Sequence, residues 1–473
     1  MPKKIPVSII FIIISFFLSM ILSAFYINLY DNHHLNGYSH IMLKEETLAH
    51  WYKGAKILEQ IENNISIFIA GDEMFTKPLP QRLVAMYSHF LNFEIIENWN
   101  NLKPTLGNKL PFLFLQSILY YFSVFIFYLQ ISKVFDKKKT FIVIIFLCIE
   151  PTIFQYHSSF WTESFYLSLQ LLIFSFMIEK NENKKHFLFI GLLLGLLFAQ
   201  RSAGIFYVFI VIIYYFFNSS ENKYKKIFLI LLSYLTICIL IGVHNYKRAG
   251  VFYVMPLEGK YGMYRYFSKD ILATSQNKTI EQINKSEVKK AVEWIKHKLP
   301  ELNYGKFKNS ESPFEIGFLI RSEKFRVEYY GYLNKRSYEI LLDNPIITIK
   351  KVIKGFMHFS VLNPFFVFYD YEYYKEYSSS EIGDFAYSDE HKKLIPIRII
   401  YTLIVIFFTI AGLFICLKKN PKIFYLILMS LFYYYIILGW YGKTRLFVPN
   451  LIYISIFFSL GVERSLRKIN LIK

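Results

Sequence analysis

Residues 5–27 read IPVSIIFIIISFFLSMILSAFYI, twenty-three residues without one charged side chain. Coiled as a helix at about 1.5 Å per residue, such a run is ~34 Å long. That spans a hydrocarbon core about 30 Å thick. Lys3 and Lys4 precede it. The run is longer than the roughly 7–15 residues of a cleavable signal core, so it is expected to persist as a first membrane helix. Because lipid offers the backbone no hydrogen-bond partners, the segment has to be helical.

The same pattern recurs along the chain. Ten spans are expected, at residues 5–27, 110–132, 140–157, 160–178, 186–200, 203–218, 226–244, 396–417, 422–439 and 446–462. The short pair 186–200 and 203–218 flanks Arg201 and could instead be re-entrant. The fold class is therefore all-α and polytopic. The 54% hydrophobic content exceeds what a soluble chain carries, because the excess is gathered into these blocks.

Polarity between the blocks sets the topology. With the N-terminus inside, the inner gaps carry Lys137, Lys138 and Lys139; Lys180, Lys184 and Lys185; Lys223, Lys225 and Lys226; Lys418, Lys419 and Lys422; and Arg464, Arg467 and Lys468. The outer turns near 158–159 and 201–202 have no such excess. Cationic gaps are retained on the cytoplasmic side, so both termini are expected there. The net charge of +19 would suit a polyanion, but much of it lies in these gaps, which argues against nucleic acid. Cys148, Cys238 and Cys416 all fall in apolar blocks and form no disulfide or zinc pattern.

Two long segments are then extracytoplasmic, about 28–109 and 245–395. Three parts are expected: 1–244 with the first outer loop, the large outer loop 245–395, and the terminal helices 396–473. In the first loop Leu48, Trp51, Tyr52, Ala55 and Leu58 recur at helical spacing and suit a helix on the membrane surface. In the second, Ile283, Val288, Ala291, Val292 and Ile295 predict a helix over 280–298, and another is expected over 322–343.

Charged residues beside apolar spans are costly and are functional candidates. Glu45-Glu46-Thr47 precede the surface helix and Lys77-Pro78 follow it. A carboxylate there can serve as general base toward an acceptor hydroxyl; Asp31, Asp72 and Glu73 compete for that role, and acidic residues also simply favour helix N-termini. Glu150-Pro151, Tyr156-His157 and Thr162-Glu163 surround the outer turn between the third and fourth spans. Glu163 is the candidate ligand for a divalent cation, Mg or Mn, with oxygen coordination, or a group that orients the acceptor, or a plain helix-capping residue. Arg201-Ser202-Ala203-Gly204 puts a phosphate-matching guanidinium on the outer face, where a snorkelling arginine would also sit. Lys443-Thr444-Arg445 lies on that face as well, against the charge rule. Together Arg201 and Arg445 suggest an anionic lipid partner.

In their order these motifs resemble the bacterial GT-C glycosyltransferases, the group that holds protein O-mannosyltransferases and the lipid A aminoarabinose transferase. Glu45-Glu46-Thr47 resembles the acidic pair of their first outer loop, with Glu45 where the family has Asp. Lys77-Pro78-Leu79 resembles the Lys-Pro that follows. Pro151, Tyr156 and Thr162-Glu163 resemble their Pro…Tyr…Thr-Glu turn, and Gly191 to Leu196 leading to Arg201 resembles their Gly-rich span. Asn245-Tyr246 with Gly250, Tyr338 with Asn344-Pro345, and Arg445-Leu446 with Pro449 complete the series. The resemblance implies a polyprenyl-phosphate sugar donor, an extracytoplasmic lipid, glycan or protein acceptor, and a multi-pass protein of the bacterial inner (plasma) membrane. It implies Glu45, Glu46 or Asp31 as base and Arg201, Arg445 and Lys77 around the donor phosphate. Two other classes fit the same outline. One is an O-antigen ligase or polymerase, using diphosphate-linked glycans. The other is a transporter or flippase, although the chain lacks the repeated halves common in those.

Overall fold

The computed structural model describes residues 5–32, 54, 56–63, 65, 78–91, 106–157, 162–179, 181, 183–219, 221–255, 257–362, 389–439 and 444–468. Among the described residues all regular structure is helical. In chain order the helices are α1 (Val7–Asn32), α2 (Pro78–Leu91), α3 (Leu106–Ile131), α4 (Lys137–Ile149), α5 (Pro151–His157), α6 (Thr162–Ile178), α7 (Lys184–Gln200), α8 (Tyr207–Asn218) and α9 (Lys223–Ala249). Then come α10 (Leu257–Met263), α11 (Lys269–Gln276), α12 (Ile280–Lys298), α13 (Pro313–Leu319), α14 (Glu323–Asp343) and α15 (Pro345–Phe359). The last three are α16 (Asp389–Lys419), α17 (Pro421–Leu438) and α18 (Val448–Lys468).

Every expected span coincides with helix. Five of the helices are long and apolar enough to cross a bilayer: α1, α3, α9, α16 and α17. The span expected at 140–157 is not one rod. It breaks at Glu150, because Pro151 has no N–H and disfavours helical backbone in the residue before it. Pro151 then starts a new helix, as proline does well at a first helical position.

Among the described residues two large hydrophobic cores form, beside a small cluster of Ile57, Leu58 and Ala85. The first lies inside the bundle and is rich in large rings, among them Tyr120, Phe127, Phe174, Tyr207, Tyr434, Tyr453 and Phe457. Outward, α1 presents Ile10, Ile13, Phe17 and Ile21, and α16 presents Leu403, Phe407, Ile410 and Phe414, all exposed. A belt of large apolar side chains facing outward is what lipid permits and water does not. The chain is an integral membrane protein.

Close helix approach in the bundle relies on small residues. Gly191 and Gly195, spaced as GxxxG on α7, face α9; a Cβ on Gly191 would overlap the Ile230 carbonyl, and one on Gly195 would overlap Ile237. Gly191→Leu should therefore push α7 off α9 and cost about 1–3 kcal/mol or more from overpacking. Thermal unfolding in detergent should show a lower transition for Gly191→Leu than for Leu192→Ala, whose side chain points outward.

The second core belongs to the helices after α9. Ile283, Val288, Ala291, Val292 and Ile295 are all buried on one side of α12, the side expected from their spacing. Thr279 and Gln282 cap that helix reciprocally. Ser322 caps α14, its hydroxyl accepting from Phe325 N at 3.5 Å. An ion pair ties the two helices: Arg336 donates to both oxygens of buried Glu287, at 2.9 and 3.0 Å. Burial raises the Glu287 pKa, but the Arg336 and Lys290 hydrogen bonds and charges outweigh it, and the net shift is downward. A depressed carboxylate stabilises the fold above its unfolded pKa of about 4.3 and loses that contribution as pH falls through the lower folded value. Acid below about pH 4 should thus loosen α12 against α14 first. Hydrogen exchange over 280–343 should rise there in the wild type, while Glu287→Gln should exchange faster already at neutral pH and respond less to acid.

Candidate active site

Two breaks in the helical pattern meet at one end of the bundle. Glu163 stands in the first turn of α6 and Arg201 is the residue that ends α7. Arg201 Nη1 donates to Glu163 Oε1 at 2.7 Å, with the two side chains 6% and 1% exposed. The Thr162 hydroxyl donates to the other carboxylate oxygen at 3.3 Å. Next to Arg201, Gln200 Nε2 donates to the Thr162 carbonyl at 3.0 Å, so the two chain ends are joined through backbone as well as charge.

The turn that carries Arg201 is held from both sides. Tyr433 of α17 donates its hydroxyl to the Ala203 carbonyl, and Tyr234 of α9 donates to the Ile205 carbonyl at 2.7 Å. At Gly204 the chain folds so tightly on the end of α7 that a Cβ would sit 2.9 Å from the Leu197 carbonyl, which favours glycine there. The guanidinium of Arg201 lies 5.7 Å from the centre of the Tyr166 ring, a cation–π distance.

Below the pair runs a set of buried tyrosines. Tyr166 and Tyr434 share a hydrogen bond of 2.7 Å. Tyr207 bonds Ser430 at 3.1 Å and also Tyr453. These link α6, α8, α17 and α18. The N-terminal end of α18 is fixed as well, because Gln170 Nε2 donates to the Pro449 carbonyl at 2.9 Å. The phenol network was not among the sequence-predicted features. A tyrosine inside an apolar run reads as filler, and the run Tyr433-Tyr434-Tyr435 was the one available signal.

Glu150 forms a second buried carboxylate. Its oxygens accept from Ile153 N at 2.8 Å, from the Thr152 hydroxyl at 3.0 Å and from the Tyr401 hydroxyl of α16 at 3.2 Å. It therefore caps α5 and tethers α16 to the break in the 140–157 segment.

A further cationic group appears where α2 and residues 56–62 meet the end of α9. Arg82 of α2 approaches His244 Nδ1 at 3.4 Å, and Arg248 at the end of α9 donates to Gln60 Oε1 at 3.0 Å. Burial and the neighbouring Arg248 charge pull the Arg82 pKa down to about 10, so it remains a cation at neutral pH. The sequence reading missed this cluster, since its members come from three separate segments.

The other predicted site residues are distributed as follows. Glu45, Glu46, Lys77, Asp72, Glu73 and Lys443 lie outside the described residues. So do Leu48, Trp51, Tyr52 and Ala55; of the expected surface helix, 56–62 is helical, with Leu58 buried. Asp31 falls in the last turn of α1 and Arg445 in the turn Thr444–Phe447, but both side chains are outside the described set. Among the described candidates, Glu163 and Arg201 are brought together. They were read separately, as a cation ligand and as a phosphate ligand.

Residues 105–245 match the family model of dolichyl-phosphate-mannose-protein mannosyltransferases. This stretch runs from α3 into the last turns of α9 and contains Glu150, Glu163 and Arg201, so the GT-C resemblance expected from the motifs stands over it. No curated protein matches the chain. Among solved structures, similarity extends to the Archaeoglobus fulgidus oligosaccharyltransferase in the apo form, with 12% identity, a TM-score of 0.49, and coverage of 97% of this chain and 51% of that one. The same archaeal protein in complex with an inhibitory peptide and a dolichol-phosphate gives 13% identity and a TM-score of 0.48, with 97% and 51% covered. ArnT from Cupriavidus metallidurans, bound to undecaprenyl phosphate, gives 9% identity and a TM-score of 0.38, with 98% and 79% covered. The chain spans about half the length of the oligosaccharyltransferase structures it matches.

Proposed function

We propose that this protein is a membrane glycosyltransferase that moves a sugar from a polyprenyl-phosphate donor to an extracytoplasmic acceptor with inversion. The observation that carries the reading is the buried Glu163–Arg201 pair, built at a helix break inside the stretch that matches the mannosyltransferase family. A fixed guanidinium suits an oxygen that gains charge during reaction, since it needs no reorientation then.

In this reading one of Glu45, Glu46 or Asp31 takes the proton from the acceptor hydroxyl. The oxygen then attacks the sugar C1 from the face opposite the phosphate, the C1–O bond to phosphate breaks, and the electron pair leaves on the lipid phosphate. Arg201, Arg445 and Lys77 meet that growing charge, an effect commonly worth about 2.7–4 kcal/mol per donor. Arg82 and Arg248 add positive charge at α2, the helix that follows Lys77 in the sequence.

Glu163 is assigned here as the partner that fixes Arg201. Its oxygens accept from Arg201 and Thr162, and no group of three metal-ligating side chains occurs among the described residues. Among the described residues this donor set offers one carboxylate, already engaged by Arg201, and does not by itself make a site for Mg or Mn. The three-part division at 244 and 395, the cytoplasmic termini and the bacterial inner membrane belong to the same proposal. The basic gaps support the orientation, and Asp136 in one of them lies within electrostatic reach of Arg467 in the tail.

The test is a donor comparison with the reconstituted protein. Labelled polyprenyl-monophosphate sugar should be consumed with release of polyprenyl phosphate when acceptor is present. Turnover with diphosphate-linked glycan alone would support the ligase class instead. Acceptor-independent movement of the lipid across the vesicle would support a flippase.

A further inference from the structure

Helix α15 (Pro345–Phe359) has a face that nothing in the described chain covers. Lys351, Val352, Gly355 and Phe359 turn inward. Lys351 pairs with Asp270 and sits 5.5 Å over the Phe267 ring. Phe359 is fully buried against Tyr435 and Phe447. On the opposite side Ile346, Ile349, Ile353 and Met357 are 69, 59, 54 and 69% exposed. Their spacing places all four on one stripe of the helix. Lys350 and Lys354 are exposed along one edge of it.

Four large apolar side chains in a row on a folded surface mark an interaction site. Two features identify the partner as lipid. First, the stripe is continuous with the lipid-facing surface of the bundle. The end of α15 rests on the end of α17, where Ser360 Oγ bonds Tyr435 Oη at 2.7 Å and the Phe356 ring fills the space beside Gly439. From that point α17 presents Phe432 and Ile436 outward, 59 and 65% exposed. Second, the stripe has lysines at its margin. Long cationic side chains beside an apolar stripe reach up to headgroup phosphates while the stripe sinks below them.

We propose that α15 lies in the plane of the outer leaflet, with Ile346, Ile349, Ile353 and Met357 among the acyl chains and Lys350 and Lys354 on anionic headgroups. The helix is then a lipid-anchored arm of the large loop. It delivers the chain to Leu362, whose N–H donates to Thr402 Oγ1 of α16 at 3.0 Å. Membrane docking of the arm thus fixes the loop beside the end of the bundle where Arg445 emerges.

The proposal rests on the reading that 245–395 is extracytoplasmic, but depth can be measured without any transfer assay. Single spin labels at Ile353→Cys and Met357→Cys, in the full chain in nanodiscs with and without anionic lipid, would report accessibility to oxygen and to an aqueous nickel chelate. The unsubstituted chain is the labelling blank, its three cysteines being buried. Expected is strong relaxation by oxygen and weak relaxation by nickel at both positions, with a shallower depth when Lys350→Glu and Lys354→Glu are added in anionic discs. Dominant nickel relaxation would place the stripe in water and overturn the proposal. Shielding from both reagents would overturn it too, by showing cover from protein, either residues 363–388 or a second copy. Side-specific modification of Lys354→Cys in sealed vesicles checks the loop orientation separately. Insertion on the cytoplasmic side would sink the orientation while leaving the depth result standing.

Discussion

Arg201→Ala should destabilise the bundle by about 3–5 kcal/mol, because it removes the guanidinium that neutralises the buried Glu163 carboxylate, and it should lower transfer by about 10²–10³-fold, the effect of losing one donor to the developing charge. At 2.7 Å the pair attracts with on the order of 6 kcal/mol at an effective dielectric of 20. Desolvation of both ions offsets much of that, so the net value of the pair is small and the cost of breaking it is large. The conservative change is informative too. Lysine keeps the charge but not the planar fork that reaches Glu163 while lying against Tyr166. The decisive comparison is the double replacement Glu163→Leu with Arg201→Met. Removing both ions together should recover most of the unfolding temperature lost in Arg201→Ala, since a well-packed apolar pair replaces a buried ion pair at little cost. Transfer should stay at that reduced level, since the Arg201 guanidinium is still missing from the groups that meet the phosphate. Wild-type stability in Arg201→Ala would show that the pair is not buried as described. Restored turnover in the double variant would remove Arg201 from the chemistry and leave it a structural part.

The bundle was readable because its determinants are local. An apolar run of the right length fixes a span such as 5–27 wherever the chain goes, and the buried face of α12 follows from five residues within one helix. Tertiary pairings are a different matter. Glu163 and Arg201 are 38 residues apart, and each alone has an acceptable local explanation as a cap or a snorkelling side chain. Only the packing of α6 beside α7 makes them one unit. The same holds for Glu150 and Tyr401, which are 251 residues apart. The break at Glu150 was legible from Pro151, yet the apolar run on both sides outweighed it when spans were assigned by length. The tyrosine network was illegible for a further reason. Phenols serve packing and hydrogen bonding alike, and sequence does not say which hydroxyls find partners.

The second large effect is expected in the first outer loop. Inversion requires the base and the leaving phosphate to lie on opposite sides of the sugar ring. The cations assigned to the phosphate are Arg201, Arg445 and Lys77, so the base has to come from elsewhere, and the acidic candidates are Glu45, Glu46 and Asp31. General-base catalysis contributes roughly 10²–10⁴-fold. One of the three alanine variants should therefore lose turnover by about that factor, with apparent affinity for the lipid donor little changed. The other two should keep most of the rate. The pH profile separates a base from a residue that merely supports the loop. In the wild type kcat/KM should fall on the acid side as the base takes up its proton, and the residual activity of the true base variant should lack that limb. Asp31 differs from the glutamates in one testable respect. It stands on the last turn of α1, a continuous helix from Val7, so an insertion of one alanine before it rotates it by about 100° about the helix axis. If Asp31 is the base, that insertion should be as damaging as Asp31→Ala. If Glu45 or Glu46 is the base, Asp31→Ala should be active. Full activity in all three single variants would end the assignment of the base to Glu45, Glu46 or Asp31.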